Sequence, residues 1–428
     1  MSMARQTAAT LTWIGKDARA AVEPAALRED AALSYRACAR DGAEEGDVDG
    51  GGVDDRPDNR LIQGDNLPAL RALEPEFAGR IRCVYIDPPY NSGGAFAHYD
   101  DGMEHAAWLS AMRERAELLR RLLRDDGVLF VSIGDDEQAY LKVLLDELFG
   151  RANFCGQFVW ERKRKPSFLD AQIGTVTEYV LCYAKERACA PPFVGGTTTA
   201  GKRYPLNNVG NGVRDLRFPA GGVRFECPDG VVEPGDMSTG HVVARLLDRV
   251  VIAGGRNRDA FRLRGEWRYS QRRLDELLAA GEEIVVHRAP FRPNHVKPGG
   301  EPKKLKNLLS VAHYGMPTYE DATAESRALF GADAFDYPKP ERLIATLVAA
   351  VTAPGDWVLD AFAGSGTTGA VAHKLGRRWI MIELGAHAAT HAAPRLRRVV
   401  DGTDPGGITG ETGWRGGGGF RFYRVASR

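Results

Sequence analysis

Asp356-Trp357-Val358-Leu359-Asp360-Ala361-Phe362-Ala363-Gly364-Ser365-Gly366-Thr367-Thr368 runs from a short apolar strand through a glycine loop into a helix. Asp356 to Asp360 reads as the strand, Phe362 to Gly366 as the loop, and Thr368 to Leu375 as the first turns of the helix. Glycines let backbone approach a ligand, and a helix amino end offers N–H groups to a carboxylate or phosphate. Such a unit belongs to an open, mostly parallel α/β sheet with helices on both faces.

A Gly-x-Gly loop alone is a weak sign. Here the next strand, Arg378 to Ile382, ends in Glu383, 19 residues beyond Gly364. An acidic side chain at about that distance suits a ribose hydroxyl. The loop lacks the Gly-Lys-Ser/Thr of a phosphate-cradling loop and the third glycine of the dinucleotide pattern. Thr367 and Thr368 stand where an amino-acid carboxylate can be held. S-adenosylmethionine, with its ribose, adenine and methionine tail, fits these features better than a nucleoside triphosphate.

Upstream, Ile81-Arg82-Cys83-Val84-Tyr85-Ile86 has the apolar, β-branched run of a buried parallel strand, and Asp87-Pro88-Pro89-Tyr90 follows it. Two prolines must end the strand, which puts Asp87 at a carboxyl edge where open α/β sheets bind ligands. An exocyclic amino group on a nucleobase is a poor nucleophile because its lone pair is delocalised into the ring. Acceptors on both amino hydrogens favour a more tetrahedral nitrogen. The Asp87 carboxylate and the Pro88 carbonyl can supply them, and Tyr90 can stack on the ring. A plain turn, with Asp87 capping and Tyr90 filling a hole, is the competing use of the same four residues.

With both motifs in view, the chain resembles the β group of amino-methylating DNA methyltransferases, in which the catalytic motif precedes the cofactor loop. Gly64-Asp65-Asn66-Leu67, Asp87 to Tyr90, Lys339-Pro340 and Asp360 to Thr368 all have counterparts there. Leu11-Thr12-Trp13-Ile14-Gly15-Lys16 is similar to the opening of modification (Mod) subunits of type III restriction systems. The resemblance implies base binding and activation by Asp87, Pro88, Pro89 and Tyr90. It also implies a cofactor site of Asp360, Phe362, Gly364, Gly366, Thr367, Thr368 and Glu383, with Asp65 and Asn66 near the adenine. Asp65-Asn66 can equally cap the following helix, and Lys339 either meets the methionine end or is a surface lysine at a helix start. Ala361 departs from the family, which often has proline there.

In the family, aspartate at the first catalytic position goes with adenine N6 and serine with cytosine N4, so Asp87 favours adenine. The alternatives are cytosine-N4 methylation, a protein glutamine methyltransferase, whose related motif begins with asparagine, and a non-catalytic DNA-binding subunit. The base must leave the duplex to reach Asp87. Expected partners are duplex DNA, a second copy of the chain and a restriction (helicase-nuclease) subunit.

Formal net charge is zero, which by itself does not favour a nucleic-acid partner. The charge is uneven: residues 1–59 hold 7 Lys/Arg against 12 Asp/Glu, whereas residues 256–308 hold 13 against 7. Arg162-Lys163-Arg164-Lys165 adds a basic cluster. These segments, interleaved with Trp160, Trp267, Tyr269 and Phe291, are expected to contact DNA. Six cysteines, at 38, 83, 155, 182, 189 and 227, form no Cys-x-x-Cys pair, so a structural zinc site is not expected and a reducing cytoplasm is the natural compartment. In-line methyl transfer from sulfonium to nitrogen requires no metal. No apolar stretch approaches a membrane span.

The expected fold is a doubly wound, Rossmann-like α/β sheet with an antiparallel hairpin at one edge and an inserted target-recognition module. Residues 1–59 form an acidic arm whose 41–58 stretch is a Gly/Asp-rich link. Residues 60–186 are the catalytic half, 187–335 the recognition module, 336–400 the cofactor half, and 401–428 a C-terminal tail. Asn91 to Asp101 is expected to be a mobile loop over the pocket.

Overall fold

A computed structural model describes residues 10–18, 23–37, 58–93, 102–166, 172–331 and 335–426. Most of the Gly/Asp-rich link and residues 94–101 of the expected loop lie outside these. The chain divides into a unit made from both ends, up to Val194 and from Leu305, and a second unit, Gly195–Lys304.

The strands of the first unit are β1 (Leu27–Glu29), β2 (Arg60–Gln63), β3 (Ile81–Ile86), β4 (Leu123–Ile133), β5 (Phe154–Glu161), β6 (Thr177–Ala184), β7 (Leu308–Leu309), β8 (Trp357–Asp360), β9 (Arg378–Glu383) and β10 (Gly419–Val425). They pair in the order β1-β10-β2-β9-β8-β3-β4-β6-β5-β7, with Tyr35–Arg36 also on β10. From β10 to β4 the pairing is parallel. β3 and β8 carry almost unbroken apolar residues because both their faces are covered. Cys83 and Tyr85 enter one core cluster, and Val84 and Ile86 the other.

Helices α1 (Asn66–Phe77), α2 (His105–Leu122) and α3 (Asp135–Phe149) cover one face through Leu70, Leu73, Phe77, Leu119 and Leu144. On the other face lie α4 (Tyr319–Phe330), α5 (Glu341–Val351), α6 (Thr367–Lys374) and α7 (Ala393–Asp401), burying Tyr319, Leu347, Val371 and Leu396. Each fully buried Leu or Phe contributes about 1.5–3 kcal/mol. The sheet is therefore doubly wound.

The expected hairpin is present: β6 lies antiparallel to β4, and β5 antiparallel to β6 from Phe154–Tyr183 to Glu161–Thr177. The two-residue β7 adds beyond it, parallel to β5. The segment set apart as a tail supplies β10, which lies between β1 and β2 with Phe420 and Phe422 fully buried. Part of the expected arm thus becomes sheet, because β1 pairs with β10. Among the described residues no helix is long and apolar enough to cross a membrane.

The compact second unit is shorter than the expected 187–335 span. Leu309, Met316 and Tyr319 belong to the first unit's core. Gly195–Lys304 holds a four-stranded antiparallel sheet and a seven-stranded sheet over a core that includes Phe218, Phe261, Trp267 and Phe291. Trp267 and Phe291 are fully buried, and so is Trp160 of the first unit. These three aromatics pack cores and are not displayed to DNA, which corrects that expectation. Phe261-Arg262-Leu263-Arg264 alternates with the period of a half-buried strand. The arginines point outward to Asp248 and Asp215 at 2.8 and 2.7 Å.

In the first unit, Glu341, Lys374, Arg395 and Asp404 are each at most 3% exposed. Lys374 donates to both oxygens of Glu341 at 2.9 and 2.8 Å and pairs with Asp404 at 2.7 Å, while Arg395 reaches Glu341 at 2.9 Å. Removing one partner of a buried charge group leaves the others uncompensated. Glu341→Ala should therefore lower stability by about 3–5 kcal/mol, read from urea unfolding, with Glu341→Gln losing less.

Candidate active site

β3 and β8 end side by side, Val358 opposite Cys83 and Leu359 opposite Val84. The two motifs therefore emerge at one edge and share a cavity of about 760 Å³. Asp65, Asn66, Asp87 to Tyr90, Lys339, Asp360, Phe362, Gly364, Thr367, Thr368 and Glu383 line it, as do Arg162 and Lys163. Gly366, Arg164 and Lys165 are not part of the lining.

Asp87 is held by Lys339, whose Nζ donates to Oδ1 at 2.9 Å and Oδ2 at 2.8 Å. The same Nζ donates to the Tyr319 hydroxyl at 3.0 Å, and that hydroxyl donates to Glu178 at 2.9 Å. The Tyr90 hydroxyl lies 3.1 Å from both Asp87 Oδ1 and Glu178 Oε2. Arg162 Nη1 stands 3.3 Å from Glu178 Oε1. Gly134, after β4, makes room for the Tyr90 ring, since a Cβ there would lie 3.0 Å from Tyr90 Cδ2.

Lys339 thus sits on the catalytic-motif carboxylate, a position that neither sequence alternative described. Burial pulls its ammonium pKa down, but Asp87 and Glu178 more than offset this and hold it above the usual lysine range. The Glu178 pKa is raised as well, but here burial is the cause and prevails over the pull of Lys339 and Arg162.

On the loop side, Gly364 has φ 52° and Gly366 φ 84°, conformations that favour glycine. Gly364 N donates to Glu383 Oε2 at 2.7 Å, and Gly385 N donates to Oε1 at 3.1 Å. Asp360 accepts from Phe362 N at 2.9 Å and from the Thr368 hydroxyl at 2.5 Å, so its carboxylate closes the loop on itself. Thr367 accepts from Arg395 at 2.8 Å. Asp65 caps α1 by accepting from Leu67 N at 2.9 Å, while Asn66 donates to the Ala361 carbonyl at 2.7 Å and ties the first half of the chain to the loop. The family's proline at position 361 would offer the same carbonyl.

Sequence reasoning missed Glu178 and Tyr319. Glu178 had a signal, a carboxylate inside the otherwise apolar run Thr177 to Ala184, and it is 5% exposed. Tyr319 had none, because it follows a stretch without clear periodicity. Of the basic cluster, Arg162 turns toward Glu178 and Arg164 pairs with Asp321 at 2.8 Å.

A DNA methylase family model of the N6/N4 type matches residues 81–394. The chain is 29% identical over 411 residues to the probable type III restriction-modification enzyme HindVI Mod subunit of Haemophilus influenzae, covering 86% of this chain and 54% of that one. It is 30% identical over 349 residues to the StyLTI Mod subunit of Salmonella typhimurium, covering 72% and 49%. With the type II methyltransferase M.EcaI of Enterobacter cloacae it shares 28% identity over 353 residues, covering 79% and 69%. The chain spans about half the length of the two Mod subunits.

Burial raises the Asp360 pKa from 3.8 to about 7, against the bonds from Thr368 and Phe362. Between those values the folded protein holds a proton that the unfolded chain releases, so folding loses stability as pH rises from about 4 to about 7. Asp360→Asn removes this linkage. Its stability relative to the wild type should climb over that window by a few kcal/mol and then level off, as read from denaturation midpoints at a series of pH values.

Proposed function

This chain belongs to the N6/N4 DNA methylase family, and from that premise we propose that it methylates the exocyclic N6 amino group of an adenine extruded from duplex DNA, with S-adenosylmethionine as donor. The observation that carries the reading is the shared cavity, which brings Asp87 and the Gly364 loop together at adjacent strand ends. Its volume lies in the range that encloses a ligand of this size.

The donor set suits that cofactor. Glu383 offers a carboxylate to a ribose diol, Phe362 an apolar ring, and the amino end of α6 N–H groups to an amino-acid carboxylate. When bound, S-adenosylmethionine supplies an electrophilic methyl group on a sulfonium. The chain's own residues then bind and orient the acceptor. Asp87 and the Pro88 carbonyl accept the two amino hydrogens, and Tyr90 stacks on the base. Lys339 fixes the Asp87 carboxylate, so no reorganisation is needed when charge develops on the nitrogen. Aspartate at this position supports adenine over cytosine.

The Mod-subunit relatives support a place in a restriction-modification system beside a restriction subunit. Gly195–Lys304 is proposed as the unit that reads the target sequence, with a second copy of the chain as a further partner. Lys163, Arg164 and Lys165 are proposed to meet phosphates, and Arg162 to serve the site.

Incubation with labelled S-adenosylmethionine and either duplex DNA or a cell protein extract tests the reading. Label in N6-methyladenine is expected, and label only in protein would refute it. Asp87→Ala should cut transfer more than a hundredfold while calorimetry still shows cofactor binding. Lys163→Ala combined with Lys165→Ala should weaken binding to all duplexes alike and flatten the salt dependence by about one unit per lost phosphate contact, measured by fluorescence anisotropy.

A further inference from the structure

Two carboxylates, Asp87 and Glu178, flank one hydroxyl, that of Tyr90, at 3.1 Å each. A hydroxyl donates only one hydrogen. With both carboxylates ionised, one of these two contacts lacks a proton. The rest of the group does not supply it: Lys339 is turned to Asp87 and the Tyr319 hydroxyl, and the Tyr319 hydrogen goes to Glu178. Arg162 balances charge 3.3 Å from Glu178 but holds its protons permanently. The trio Asp87–Tyr90–Glu178 is thus one proton short, and the reaction releases one proton beside it.

We propose that Glu178 is the final acceptor of the proton lost by the methylated amine, reached from Asp87 through the Tyr90 hydroxyl. This rests on the methyl-transfer reading above. Once the nitrogen lone pair has taken the methyl group, and the departing sulfur has kept the S–C electron pair, the nitrogen carries a positive charge and a surplus hydrogen. The N–H pair returns to nitrogen as the proton passes to Asp87. Asp87 gives its proton to the Tyr90 oxygen while the Tyr90 hydrogen moves to Glu178 Oε2. Asp87 ends ionised, Tyr90 unchanged and Glu178 neutral. Glu178 is 5% exposed, and burial raises its affinity for a proton. It acts through Tyr90 and does not touch the base.

Labelled methyl transfer to unmethylated genomic DNA, under excess enzyme and across pH, tests the relay with Glu178→Gln, Tyr90→Phe and the double variant. Binding of S-adenosylhomocysteine checks that each is folded, and Glu178→Asp, too short to reach Tyr90, replaces Glu178→Gln if that variant fails. Each single variant should be slower by about a hundredfold at neutral pH, and the double variant no slower than the worse single one, because both changes interrupt the same route. The acid limb of the wild-type rate profile, which marks Glu178 already holding a proton, should move to lower pH without Glu178. A folded Glu178 variant with the wild-type rate and profile, or losses that multiply in the double variant, would overturn the relay alone. Absence of transfer to DNA by the wild type would overturn the underlying reading and the relay with it.

Discussion

The parallel pairing of β8 with β3, Leu359 opposite Val84, joins segments from distant parts of the chain, and the site exists because of it. Parallel strands end at the same edge, so Asp87 and the loop after Asp360 face the same space. The pairing tolerates no slip. A shift of one residue would turn Val358 and Leu359 to the wrong faces, exchanging partners between two cores that are each almost dry. Asn66 at the start of α1, on the Ala361 carbonyl, and Glu383 at the end of β9, on Gly364 N, then fix the loop. The cavity is accordingly a consequence of backbone register, with side chains only refining it.

The register also forces charges together. Asp87, Glu178, Lys339 and Arg162 come from four separate segments, and Glu178 and Lys339 are less than a tenth exposed. Burying such groups costs several kcal/mol each unless they compensate one another. Two acids and two bases do so, with Tyr90 and Tyr319 filling the remaining hydrogen-bonding sites. Opposed pKa displacements of the usual kind for paired groups do not result. Burial wins at Glu178 and the carboxylates win at Lys339, so the acid and the base are both raised.

How much was legible in the sequence follows from what each residue signals locally. Asp87-Pro88-Pro89-Tyr90 and the glycine loop are contiguous, and their strands are long apolar runs, so the doubly wound sheet and most of the cavity lining could be read directly. Glu383 was found by spacing alone. Lys339 was named, but its partner was not, because an ion pair between residues 87 and 339 is set only by tertiary packing. Trp160, Trp267 and Phe291 were misjudged because a buried strand aromatic and a displayed one look alike when neighbouring residues are basic. The arginines beside Phe261 and Leu263 are already matched to the aspartates Asp248 and Asp215, a pairing that composition counts cannot show.

The loop is held in place before any ligand arrives. Thr367 at the amino end of α6 accepts from Arg395, Arg395 also reaches Glu341, and Glu341 accepts from Lys374 at the other end of α6. A single buried carboxylate therefore pins both ends of an eight-residue helix whose amino end faces the cavity. A helix that short is marginal by itself, and a frayed first turn would scatter its N–H groups. Because the quartet that stabilises the fold also holds that turn, the amino end is set in place in advance. A ligand carboxylate arriving there would meet donors that need no ordering, which is the condition under which short-range electrostatics are worth most.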